Sequence, residues 1–217
     1  MNKYNRLIDD LSKDLAPVAA APRIDGWALA WFVASAVYVV IVTQLFGPLR
    51  PGAFSQLVSE PRFLLECLLG VVAILWASLL AFRDAVPAAL SRGFAAGGLF
   101  LVTVWLAQYL FGLYSPALEP SSLGERHYCY LETILFALPP VLAGIFLVRR
   151  LYPLHPIRTA MALGLAAGML PALYMQLACM YEPVHILTFH ILPGLTMVLV
   201  SGLIALLWRR QAATDIR

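Results

Sequence analysis

Charge is scarce in this chain: only 12% of its 217 residues are Asp, Glu, Lys or Arg, against about 25% in ordinary soluble domains. That scarcity excludes a conventional soluble surface. Cysteine is scarcer still. Cys67, Cys129 and Cys179 are the three present, without CxxC or zinc-ligand spacing, so neither a disulfide scaffold nor a zinc ribbon is available. A Gly-rich phosphate loop, an HExxH motif and a GxSxG motif are also missing, and every segment between apolar runs is shorter than about twenty-five residues. These absences leave no room for a soluble catalytic domain, and a protein that is not an enzyme is expected.

Apolar sequence is what the chain has in quantity. Hydrophobic residues make up 61% and the mean hydropathy is +0.81. A helix crossing the roughly 30 Å hydrocarbon layer needs about 20 apolar residues. Runs of that length, punctuated by breaks such as Gly47-Pro48 and Tyr152-Pro153, predict spans at about 25–46, 62–82, 94–114, 130–149, 158–180 and 186–208. No long alternating pattern suits a closed barrel, and backbone polar groups must be satisfied within lipid. The expected fold is all-α: a multi-pass bundle of six transmembrane helices over 25–208, with a short amphipathic helix in 1–24 and a tail at 209–217.

Placing the N-terminus inside puts twelve of the fifteen Lys and Arg residues on the cytoplasmic side, leaving only Arg50, Arg62 and Arg126 outside. Both termini are therefore expected in the cytoplasm. Trp27, Trp31 and Trp208 fall toward the inner interface and Tyr109, Tyr114, Tyr128 and Tyr181 toward the outer one, as amphipathic rings prefer. The first apolar run follows a mixed-charge segment of some two dozen residues, which does not suit a cleaved signal peptide.

Within the spans, Ala160, Gly164 and Gly168 form a small-residue stripe that lets a neighbouring helix approach closely, either within the bundle or in a homodimer. Pro139, Pro140, Pro171 and Pro193 should kink their helices. Ionisable groups are rare at depth, and Glu66, Glu132 and His190 all fall near the outer ends, which argues against a transport path.

The cysteines also fall toward the outer ends. Spans four and five are consecutive and antiparallel, so Cys129 at the start of one and Cys179 at the end of the other should lie at one depth. His127, Met175, Met180, Glu182 and His185 lie nearby in sequence. Thiolate, thioether and imidazole donors suit a transient Cu, Zn or Cd ion, while the same two thiols could instead oxidise to a disulfide. The candidate metal ligands are Cys129, Cys179, His127, Met180 and His185, and no obligatory cofactor is expected. His190 reads as a histidine bonded within the bundle.

Near the N-terminus, Tyr4, Ile8, Leu11 and Leu15 are spaced to share one helical face, with Asp9, Asp10 and Asp14 on the remainder. A helix lying on anionic lipid would carry a basic polar face, whereas this one mixes both signs. A protein partner with a basic, groove-bearing surface fits better, and no direct contact with nucleic acid is expected. The Ala16-Pro17-Val18-Ala19-Ala20-Ala21-Pro22 stretch reads as its tether.

Taken in order, the Leu7-Ile8-Asp9-Asp10-Leu11 helix with its Ala-Pro tether, six spans, Cys129-Tyr130-Leu131-Glu132, Leu138-Pro139-Pro140, the Arg158-to-Gly168 stretch and Cys179 resemble the NrsF-type membrane anti-sigma factors along essentially the whole chain. The resemblance implies a bacterial inner-membrane protein whose cytoplasmic N-terminal segment holds an extracytoplasmic-function sigma factor. It further implies that Cys129 and Cys179 sense a stress such as heavy metal. A quinone-linked thiol oxidoreductase and a small metal transporter are the alternatives. Absence of CxxC counts against the first.

Overall fold

The computed structural model describes residues 3–13 and 23–214. A short helix α1 (Lys3–Lys13) precedes six long ones: α2 (Ile24–Phe46), α4 (Pro61–Asp84), α5 (Arg92–Gly112), α6 (Cys129–Arg149), α7 (Pro156–Ala178) and a composite last span. That last span runs through α8 (Pro183–Ile186), a π-helical turn (Leu187–Ile191) and α9 (Leu192–Thr214). A further short helix, α3 (Ala53–Ser59), lies in the connection between α2 and α4. Six helices are long and apolar enough to cross a membrane, and they overlie the six apolar runs of the sequence, the last helix continuing to Thr214. No strand occurs among the described residues, which contain one isolated bridge between Ser121 and Tyr181.

Proline sets several of the starts. Pro61, Pro156 and Pro183 each occupy the first helical position, where the missing N–H would have no intrahelical partner anyway. Pro139, Pro140 and Pro171 lie inside their helices, where each removes a backbone donor.

α7 is the central helix, packed against α4, α6 and α9 and touching α2. Its small-residue stripe faces α9. A Cβ on Gly164 would strike Ser201 and the Met197 carbonyl, and one on Gly168 would strike the Gly194 carbonyl. This face is therefore filled within the chain and is not open to a second copy. Close backbone approach is how small residues join helices where lipid removes the hydrophobic drive between them.

At the end of the bundle where α2 begins, Arg83 on α4 makes a two-pronged ion pair with Asp25, at 2.8 and 2.7 Å. Asp84, buried at the end of α4, accepts from Arg158 and from the Thr159 hydroxyl at 2.7 Å. Arg149 lies over the Trp208 ring, 4.1 Å from its centroid. These contacts join α2, α4, α6, α7 and α9 at one end.

Three of the expected belt aromatics are core residues instead. Trp31 is buried and donates to the Pro140 carbonyl at 3.1 Å, Tyr109 bonds buried Gln176, and Tyr181 packs edge-on against Phe63, 5.6 Å between centroids. Burial within the bundle gives their polar tips a protein partner in place of headgroups: the Tyr181 hydroxyl accepts from the Ala117 N–H at 3.0 Å.

Candidate functional site

The opposite end of the bundle carries the cysteine pair. Cys129 opens α6 and Cys179 follows the last residue of α7, so two antiparallel neighbours bring their thiols to one level, as expected. Both are buried and unbonded, with sulfur atoms 2.8 Å apart.

Two arginines hold this end together. Arg126 pairs with Glu132 at 3.0 Å and donates to the carbonyls of Thr43, Gly47 and Pro48, a cation placed on the exposed carbonyls at the end of α2. Its own carbonyl oxygen lies 3.1 Å from the Cys129 sulfur. Arg50 is buried, donates from Nε to the Gln176 carbonyl at 3.3 Å, and lies over the rings of Phe63 and Tyr181. It thereby covers the C-terminal end of α7, immediately before Cys179. Gly124 has φ +81°, and any Cβ there would strike the Arg50 Cβ, so this turn of the connecting loop requires glycine. The loop is fastened over the site by the Ser121 N–H, which donates to the Tyr181 carbonyl at 2.8 Å.

Two histidines complete the cluster. One donor atom from each of Cys129, Cys179, His185 and His190 can be chosen so that all four lie within 4.8 Å of one another. His185 Nε2 lies 3.4 Å from the Cys179 sulfur. Its backbone N–H is accepted by the Glu182 carboxylate, which caps α8. The His185 ring stacks on Phe189 at 4.8 Å and meets the His190 ring edge-on at 5.1 Å. His190 is fully buried, and neither of its ring nitrogens has a hydrogen-bond partner.

The Cys129 proton has two acceptors within reach, the Arg126 carbonyl and the Cys179 sulfur. Two thiols this close, contributed by two different helices, can ligate one soft metal ion together or be oxidised to a disulfide.

The other expected ligands fare differently. His127 is exposed and outside the cluster. Met180 is half-buried beside Cys179 in the chain, and Met175 is buried against Phe136 and Ala178. Cys67 stands apart in an apolar cleft of about 340 Å³ lined by Leu68, Val71, Leu170 and Leu173. His190, and not His127, lies beside the thiols, on the π-helical turn Leu187–Ile191; a one-residue change of helical register leaves no mark on hydropathy.

In α1, Tyr4, Ile8, Asp9, Asp10 and Leu11 are all exposed, with Leu7 widening the apolar stripe. Asp10 pairs with Lys13 at 3.1 Å. Asp14 and Leu15, expected on the same helix, lie outside the described residues.

Six helices long and apolar enough to cross a membrane, with a buried thiol pair at one end of their bundle, have the architecture of a multi-pass membrane protein. Residues 11–211 match the NrsF family, described as negative regulator of sigma F. The chain belongs to that family, whose description is that of an anti-sigma factor. No curated protein matches the chain, and no solved structure does.

Proposed function

We propose that this protein is an inner-membrane anti-sigma factor with both termini in the cytoplasm. In this account α1 and its tether hold an extracytoplasmic-function sigma factor, which is released when Cys129 and Cys179 are ligated by a soft metal or oxidised. The observation that carries the proposal is the pair of buried thiols contributed by two different helices, at the end of the bundle opposite the start of α2.

The N-terminal segment supports the partner. Tyr4, Leu7, Ile8 and Leu11 leave an apolar stripe exposed, with Asp9 and Asp10 beside it, a combination suited to a groove rimmed by basic side chains. A sigma factor, which must itself contact DNA phosphates, offers basic surface of that kind.

Oxidation would join the sulfurs at about 2.05 Å, both thiols losing a proton as a thiol-specific oxidant accepts two electrons. Metal ligation would also release protons. Either event ties the start of α6 to the end of α7, and α7 runs to the other end of the bundle, where Thr159 and Arg158 meet Asp84. Moving the sigma factor from 99% bound to 99% free requires the signal to favour the released state by about 5.5 kcal/mol.

The test uses the full-length chain in detergent with a purified extracytoplasmic-function sigma factor. Capture by the wild type and its loss on combining Ile8→Asp with Leu11→Asp would support the proposal. Equal capture by both proteins, or by neither, would sink it.

A further inference from the structure

We infer that Cys129, Cys179, His185 and His190 form a closed, four-coordinate site for a borderline divalent cation of the Zn(II) or Cd(II) class. This deepens the sensor proposal above and rests on its assignment of the thiol pair, while adding two ligands and a metal class to it.

Metal–sulfur bonds of about 2.3 Å and metal–nitrogen bonds of about 2.0–2.1 Å, arranged tetrahedrally, place neighbouring donors roughly 3.3–3.8 Å apart. Here the sulfurs are 2.8 Å apart, Cys179 and His185 Nε2 are 3.4 Å apart, and no pair of the four donors exceeds 4.8 Å. Shifts on the order of 1 Å, within reach of side-chain rotation, convert one arrangement to the other.

A fully buried imidazole with both nitrogens unpartnered, as at His190, is costly, because its polar atoms have left water without replacement. Coordination through one nitrogen relieves that cost. No other described group accepts or donates to the ring, so packing alone does not account for a histidine at this position.

The helix register explains how both histidines reach one ion. In a regular α-helix residues five apart point about 140° away from each other at 3.6 residues per turn. The wider π-helical turn at Leu187–Ile191 reduces that angle and brings the His185 and His190 rings within 5.1 Å. A π-helical turn is a locally unfavourable arrangement that recurs at functional sites, and here it assembles the ligands. Pro193, which cannot donate to the Phe189 carbonyl, favours the irregularity.

Charge then selects the ion. Two thiolates and two neutral imidazoles neutralise a divalent cation, so the filled site carries no net charge at the margin of an apolar bundle. A monovalent soft ion would leave one negative charge buried. A tetrahedral set of two sulfurs and two nitrogens is the donor combination of Zn(II)-type ions. Binding displaces the thiol protons, whatever their initial share between the two sulfurs.

The experiment is an anaerobic titration of the reduced full-length protein in detergent with Co(II), followed by displacement with Cd(II). Expected are one ion per chain, the intense visible bands of tetrahedral Co(II) and thiolate-to-cobalt charge transfer. X-ray absorption on the Zn(II) form should give two sulfur and two nitrogen neighbours. His190→Gln and His185→Gln should each weaken binding more than about tenfold, a loss at least as large as that for outer-shell partners. His127→Ala should bind as the wild type does. If His190→Gln fails to fold, the X-ray absorption shell of the unaltered protein decides the matter. A weak octahedral cobalt spectrum, a shell lacking either sulfur or nitrogen, or affinity that depends on His127 in place of His190 would overturn the inference. None of these readouts involves a sigma factor. A chain that captures and releases its sigma factor with no tetrahedral cobalt spectrum loses only this site; one that binds cobalt as described but captures no sigma factor loses only the regulatory proposal.

Discussion

Replacing Gly168 with alanine tests whether α7 and α9 are held by close backbone approach. The added Cβ would fall well inside contact distance of the Gly194 carbonyl oxygen and 2.8 Å from the Met197 Cβ. Backbone cannot rotate away as a flexible side chain can, so the helices must separate by on the order of 1 Å. Overpacking of this kind costs about 1–3 kcal/mol. At about 2–4 °C per kcal/mol for a chain of this size, Tm should fall by several degrees. Two controls make the argument specific. At Gly202 the nearest atom to a new Cβ is Met161 Cγ, 3.0 Å away on a flexible side chain, and at Gly93 nothing lies within 4 Å. Gly202→Ala should therefore cost less than Gly168→Ala, and Gly93→Ala should be neutral or gain up to about 1 kcal/mol by limiting backbone freedom. Thermal unfolding of the three variants in one detergent provides the comparison. A Gly168→Ala protein as stable as wild type, or a Gly202→Ala protein equally damaged, would refute the close-packing argument.

Other consequences are equally direct. Cys129→Ser and Cys179→Ser should each leave sigma capture intact while abolishing release by Cd(II) and by a thiol oxidant, read as retention of the sigma factor on immobilised protein. Arg158→Gln should lower thermal stability more than Asp84→Asn, because the first leaves a buried carboxylate without its ion-pair partner whereas the second removes the charge itself. The expected costs are about 1–3 kcal/mol and below about 1 kcal/mol, reduced in the first case because the Arg158 side chain is 65% exposed and screened. Arg126→Ala should loosen the end of α2, because three backbone carbonyls and Glu132 lose one shared donor group; hydrogen exchange should rise across residues 43–48 and 126–132, and unchanged exchange would contradict that role.

The six spans are legible in the sequence because lipid imposes one demand on all of them, an apolar run of sufficient length with its ends marked by proline, glycine or charge. The same demand explains why Cys129 and Cys179 could be placed together: consecutive antiparallel spans leave little freedom in which ends meet. Side-chain depth is a different matter. Trp31 and Tyr109 have the composition of belt residues, and only the packing of α2 against α6 and of α5 near Gln176 draws them inward. The small stripe on α7 announces a close neighbour but does not name it, and the partner surface, Gly194, Met197 and Ser201, becomes evident only once α9 is folded against it. His127 is closer than His190 to Cys129 in sequence, yet it remains exposed while His190 is carried to the thiols by a register change near Pro193.

The central claim is that occupation of the Cys129–Cys179 pair at one end of the bundle releases a sigma factor held at the other. The most direct measurement is dissociation of a labelled sigma factor from the reduced full-length protein in detergent, followed before and after addition of Cd(II), beside a Cys129→Ser variant. Rapid release from the wild type is expected, with affinity falling by up to about 10⁴-fold for a complete switch, and no release from the variant. Sigma factor that stays bound while the thiol pair is saturated with Cd(II), or that leaves both proteins equally, would contradict it.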